Sequence, residues 1–282
     1  MAKVNKAEVK EVAPAKTEVA VVEQPQSSLP QVGATPIDMQ GFDRSDVIIP
    51  RILLMQGMSE LVSSGEFKMG DLVNMLTNEK LGDLKTPLEV IPVAALPKTV
   101  VVSERAPKKQ RFDYVKTQTQ TEFLRDKYGE EALAKNSEDD LMKRTQLEET
   151  QEDGMIHRYD KCLNFYVLLA SDVAKDEAFP LVVTFRRTSY AAGKQLATHF
   201  IKQAMLRQAP HSKTLKLAPT TDTNEEGVTY AIHQILPGRK AEAQEMAAAE
   251  QWKPFLASGK VQVQSDEVIA KADGVEKEIK QF

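Results

Sequence analysis

Residues 181–203 read LVVTFRRTSYAAGKQLATHFIKQ. Leu181 to Phe185 is an apolar run with the length of a buried strand, and it meets two adjacent arginines, Arg186 and Arg187. A turn of small residues follows, and then Leu196, Phe200, Ala204 and Ile201 fall on one face of a helix. Thr188 or Ser189 is placed to cap that helix, and Pro210 stands beyond its end. This strand-to-helix step decides the fold, because every other periodic segment up to residue 236 outside the polar stretch 119–154 reads as strand.

Upstream, VIIPRILLMQ (47–56) is β-branched and apolar, but Pro50 lacks a ladder donor, which predicts an edge-placed or bulged strand. SSGEFKMGDLVNML predicts a turn into a short strand, and LEVIPVAALP and KTVVVSER predict two more. MIHRYDKCLNFYVLLA is a further strand before the quoted one. Downstream come KTLKLAP, the strong strand VTYAIHQIL and a final helix from RKAEAQEM onward. Strands, one helix, then strands is the order of the five-stranded Greek-key barrel called the OB-fold, though other α+β folds share it. The expectation is α+β, mainly β: an OB-fold-like Greek-key barrel with a polar helical insertion and a C-terminal helix.

The predicted organisation is a disordered leader over 1–44, an OB-like domain over 45–240 with the polar insertion at 119–154, a C-terminal helix over 241–258 and a flexible tail over 259–282. The leader, rich in Ala, Lys, Glu, Val, Pro and Gln, has no clean period and too little apolar surface to offset chain entropy. No apolar run approaches the roughly 18 residues of a membrane helix. The single Cys162 excludes an intrachain disulfide framework and suits a reducing cytoplasm.

Net charge is −4, but it is segregated. Phe179 to Thr221 holds Arg186, Arg187, Lys194, Lys202, Arg207, Lys213 and Lys216 and no acid, so this segment is +7 and the remainder −11 (−4 minus 7). Residues 137–154 carry seven acids against Lys143 and Arg144, a net of −5. Segregation of this kind gives a nearly neutral protein a positive face. The plainer reading is chance clustering on different sides.

Enzymatic signatures are absent. Gly193-Lys194 looks like the end of a phosphate loop, but Thr188 stands where the first glycine belongs and Gln195 where the hydroxyl belongs. His157, His199, His211 and His233 have no metal-ligand spacing, and Cys162 has no partner cysteine. Asp139-Asp140 and Glu148-Glu149 read as solvated acids. No catalytic residue, metal or cofactor is expected.

What remains is cations interleaved with aromatic rings, the composition of a single-stranded nucleic-acid site. Phe112 and Tyr114 lie among Arg105, Lys108, Lys109, Arg111 and Lys116, and strand alternation puts the two rings on one face. Tyr159 adjoins Arg158 and Lys161; Phe185 and Tyr190 flank Arg186 and Arg187, with Lys194 beyond. Core packing is the ordinary alternative for each ring. Neighbouring strand residues point to opposite faces, so only one of Arg186 and Arg187 is expected in a given groove. Lys213 and Lys216 end the cationic track.

The element order, the basic middle and the leader resemble the single-stranded DNA-binding proteins of tailed bacteriophages, and DVIIPRILLMQGMSELVSSGEFKMGD (46–71) resembles a segment of phage proteins. The resemblance implies an OB barrel that carries DNA and an acidic tail whose terminal aromatic, here Phe282, recruits replication partners. The tail SDEVIAKADGVEKEIKQF departs from that pattern, with five acids against three lysines. The resulting expectation is a non-catalytic protein of the host-cell cytoplasm that coats exposed strands in phage replication or recombination. Its partner would be single-stranded DNA, or RNA, with no membrane. The alternative is a virion, assembly or interaction protein whose basic face meets an acidic protein.

Overall fold

The computed structural model describes residues 47–109, 112–145, 148–257 and 262–264. In chain order the elements are β1 (Ile48–Ile49), β2 (Arg51–Leu54), α1 (Glu60–Ser63), β3 (Leu72–Asn74), β4 (Glu79–Gly82), β5 (Leu88–Ala95), β6 (Thr99–Arg105) and β7 (Asp113–Thr119). Three short helices follow, α2 (Gln120–Tyr128), α3 (Glu130–Lys135) and α4 (Glu138–Arg144). Then come β8 (Glu148–Thr150), β9 (Ile156–Leu169), α5 (Ala170–Val173), β10 (Leu181–Arg186) and α6 (Tyr190–Met205). The chain continues through β11 (Lys213–Thr223), β12 (Thr229–Lys240), α7 (Ala243–Ala257) and β13 (Gln262–Val263). The fold is α+β and mainly β, with an eleven-stranded mixed sheet ordered β12-β11-β5-β9-β10-β2-β3-β4, with β6 and β8 branching from β9 and β7 pairing with β6. No described helix is long and apolar enough to cross a membrane.

β9 organises the sheet. Its second half, CLNFYVLL, is buried on both faces, as a near-continuous apolar run predicts, and runs between β5 and β10. Its first half is flanked instead by β6 and β8. The β5–β6 segment therefore follows one edge of β9 for its whole length, stepping over at Leu96, whose N–H donates to Asn164 O (2.9 Å).

Prolines mark where ladders end. β1 pairs with β13 in a separate two-stranded sheet, while β2 lies inside the large sheet between β10 and β3. Pro50 sits between them and needs no donor, and its carbonyl accepts from Val182 N (2.9 Å). The single edge-placed or bulged strand expected over 47–56 is corrected: the chain changes sheets at Pro50, and β2 is interior. Pro92 lies inside β5 at a register shift, past Val90 where β11 stops pairing.

The main core takes Ile52, Leu72, Val90, Phe165, Val183, Phe185 and Leu217 from strands along the whole path, and α6 adds Ala192 and Leu196. Strands from both ends of the path share this cluster, so the sheet curls around it. On the other face Ile91, Tyr166, Leu168 and Val182 pack against Ala249 and Leu256 of α7. The insertion helices contribute their own core, with Phe123, Leu124, Leu141 and Met142 against Val100, Val102 and Tyr159. In α6 the buried residues are Ala192, Gly193, Leu196 and Gln203. Ile201, by contrast, is 57% exposed, which corrects its place on the expected apolar face. Ser189 holds the helix N-cap position but makes no side-chain cap; its Oγ accepts from His233 N instead (3.1 Å).

Candidate nucleic-acid interface

The quoted strand ends at a buried acid. Asp160 of β9 is only 3% exposed, and Arg187 Nε donates to it at 2.7 Å. Arg158 and Arg186 complete the group at 3.5 and 3.8 Å. Burial alone would raise the Asp160 carboxyl, but the guanidiniums of Arg187, Arg186 and Arg158 outweigh it and hold the group below the usual carboxylate range. Both neighbours, Arg186 and Arg187, reach the same acid. The expectation that alternation would separate them is corrected, because Arg187 has φ of 49° and leaves the strand conformation. Such a backbone in a non-glycine residue stores roughly 1–2 kcal/mol, held here by the ion pair and by the 3₁₀ turn Arg187–Ser189 that leads into α6.

A second group joins this one through Phe112. Its ring is 7% exposed, with the Arg158 guanidinium 3.9 Å and that of Arg105 5.0 Å from the centroid. Phe112 and Tyr114 do pack together, yet the Phe112 ring is closed by cations, not open for a base. Tyr114 is half-buried and its hydroxyl donates to Thr117 Oγ1 (3.4 Å). Around them Arg105 donates to Lys109 O (3.1 Å), Lys109 pairs with Asp113 (3.4 Å), and Lys116 pairs with Asp126 (3.8 Å). Lys108 is exposed, and Arg111 lies outside the described residues. Tyr159 is core: it packs on Phe123 with centroids 5.1 Å apart and donates to Glu149 Oε1 at 2.7 Å. Burial, then Glu149, raises its phenol above the ordinary tyrosine value.

Tyr190 begins α6, half-buried, with Lys161 Nζ 5.7 Å and Lys194 Nζ 5.5 Å from its ring centroid. Burial raises its phenol, and the nearby charge of Lys98 opposes that shift. Lys98 pairs with Asp139 of α4 at 3.0 Å. Sequence reasoning missed Lys98 as a site residue: it lies between Pro97 and β6, and only the long-range β6–β9 pairing brings it here. Two groups result: Arg158, Arg186 and Arg187 gathered on Asp160, and Tyr190 with Lys161 and Lys194 at the start of α6, which follows Arg187 by three residues. Lys213 and Lys216 do not join them. Lys216 lies opposite Glu89 in the β11–β5 register, beside the Val90–Leu169 end of β9, roughly 35 Å along the strand from Arg158 at about 3.3 Å per residue. Phe282 lies outside the described residues. A cavity of about 500 Å³ opens against the same strand end, lined in part by Arg186, Arg187 and Ser189.

No curated protein and no solved structure matches this chain. The family model described as Pam3 phage gp34-like protein matches residues 27–262, and the chain therefore belongs to the Pam3 phage gp34-like protein family.

Proposed function

We propose that this phage-family protein binds single-stranded DNA, without catalysis, at the Tyr190 ring with Lys161 and Lys194, together with the Arg158, Arg186 and Arg187 group that precedes it. The observation that carries the reading is the Tyr190 ring, half-buried and set between Lys161 at 5.7 Å and Lys194 at 5.5 Å, next to three arginines fixed on one buried acid. A ring flanked by cations can stack on a base while its neighbours meet the phosphates. The architecture supports an OB-like reading of part of the sheet. Residues 83–87 bring β4 straight back to β5, and a Cβ added at Gly82 would lie 3.6 Å from Leu88 Cβ.

Titration of a fluorescent oligo-dT at several salt concentrations tests this. Three to five phosphate contacts give a log–log slope of roughly −2 to −3.5. Replacing both Lys161 and Lys194 with Ala flattens the slope by about 1.4, at about 0.7 per lost contact. Tyr190→Ala weakens binding and leaves the slope in place. No binding at low salt refutes the proposal. One feature favours the alternative of a protein-binding assembly factor: at the end of α6, Ile201, Met205 and Leu206 are 57%, 79% and 55% exposed.

A further inference from the structure

The cavity of about 500 Å³ lies within the roughly 300–1,000 Å³ range of small-molecule sites. Its walls differ in chemistry. One side is Arg186, Arg187, Thr188 and Ser189, two guanidiniums and two hydroxyls; the side supplied by β12 carries Tyr230 and His233. The polar wall leads directly into α6, a 16-residue helix with no acid in its first turn and no side-chain cap, so a positive helix end adjoins the arginines. The cavity is built before any ligand arrives. Gln56 fastens the β12 strand across it, donating from Nε2 to Ala231 O (2.9 Å) and accepting from Ala231 N (3.1 Å). Ser189 Oγ accepts from His233 N at 3.1 Å, which leaves its own O–H to donate. His233 is 6% exposed and its Nδ1 makes no hydrogen bond within the protein.

We propose that this cavity binds a phosphorylated nucleotide, with the phosphate at Arg186, Arg187 and the start of α6, and the base against Tyr230 and Met58. Guanidiniums, here anchored on Asp160, and a helix end suit a phosphate, whereas inorganic phosphate alone would leave the Tyr230 and Met58 wall uncovered. The choice of a nucleotide over another organic phosphate rests on the single-stranded DNA reading. The nucleotide can be free in solution or be the phosphorylated end of a strand.

The test is calorimetric titration of the full chain with dTMP, thymidine and inorganic phosphate. dTMP binds at least tenfold more tightly than either half of the molecule. Val228 lines the cavity and is 48% exposed on the hairpin, so Val228→Trp fills the opening with little demand on the core and lowers dTMP affinity at least tenfold. Thr229→Tyr is a second block should the first variant melt early. Competition then separates the sources. Displacement of dTMP by a linear 5′-phosphorylated oligo-dT well beyond that by circular single-stranded DNA identifies a strand end, and displacement no better than by the circle identifies a free nucleotide, since strand and cavity share Arg186 and Arg187. Failure of dTMP to bind at millimolar concentration, retention of binding in both blocked variants, or phosphate binding as well as dTMP overturns the proposal. If dTMP binds and oligo-dT does not, the cavity stands and the strand-coating reading falls.

Discussion

Gly193→Ala separates packing from phosphate binding at the Gly-Lys pair of α6. A Cβ at this position would lie 2.7 Å from Phe185 Cβ, 3.0 Å from its Cγ and 3.1 Å from Leu163 Cδ1. The first two atoms are the root of the Phe185 side chain and cannot swing away. Phe185 is fully buried, fixed in β10, which pairs with β9 on one side and β2 on the other. The helix must therefore lift from the sheet by several tenths of an ångström, loosening Ala192 and Leu196 at once. Overpacking of this kind costs about 1–3 kcal/mol, and contact with the base of a buried ring places it at the upper end. Alanine recovers about 1 kcal/mol of helix propensity over glycine. The net expectation is a loss of about 2 kcal/mol, or about 4–8 °C in Tm for a unit of this size. Urea unfolding followed by circular dichroism measures it, with Ala191→Gly on the exposed side of the same turn as the propensity control. Equal or greater stability of Gly193→Ala refutes the packing account of this glycine.

Asp139→Asn releases Lys98 from the exposed contact with α4. A surface pair of up to about 1 kcal/mol predicts a rise in oligo-dT affinity of up to about fivefold at low salt, and unchanged anisotropy titrations exclude α4 as a competitor for this face. Asp160→Asn leaves Arg158, Arg186 and Arg187 around a neutral group; removing one partner of a buried ion group costs about 3–5 kcal/mol, read as a lower urea midpoint. Burial lowers the His233 pKa from 6.5 to about 3, so at pH above 6.5 the group is neutral whether the chain is folded or unfolded. As pH falls below 6.5 only the unfolded chain takes up the proton, and stability drops by up to about 1.4 kcal/mol per pH unit, about 2 kcal/mol by pH 5. Burial lowers His211 in the same direction, against the raising effect of Glu250. A His233→Gln variant whose stability falls as steeply between pH 6.5 and 5 rules out His233 as the source.

Much of the secondary structure is legible in the sequence because it follows from period and turn chemistry. The run from Cys162 to Leu169 is near-continuously apolar and forms the most buried strand half, and Leu196 lies on the buried side of α6, whereas Ala204 and Ile201 of the expected face are exposed. Topology is not legible in the same way. Nothing local in IHRYDKCLNFYVLL says that its two halves take different neighbours, so an eleven-stranded sheet has the same order of elements as a five-stranded barrel. Pro50 carries a correct local constraint, the missing donor, which the fold meets by changing sheets and not by an edge position.

The site residues divide by a physical ambiguity in the pattern itself. A cation next to an aromatic ring can leave the ring open for a base or can close over it, and both arrangements have one composition. At Phe112 the guanidiniums of Arg158 and Arg105 close over the ring, and at Tyr159 Lys127 does so with Nζ 4.6 Å from the centroid. At Tyr190 the two lysines stand further off, at 5.5 and 5.7 Å, and the ring keeps part of its surface. The deciding quantity is which side of the sheet each partner occupies, set by the β6–β9 and β9–β10 pairings between residues distant in the sequence. Gly193 follows the same logic. Read locally, Gly-Lys belongs to a phosphate loop; in the fold, the missing Cβ lets α6 settle onto Phe185. That close approach sets where α6 begins, and so places Arg186 and Arg187 together at Asp160 and at the wall of the cavity. The glycine bears on an anion site through the helix it seats rather than through a loop it forms.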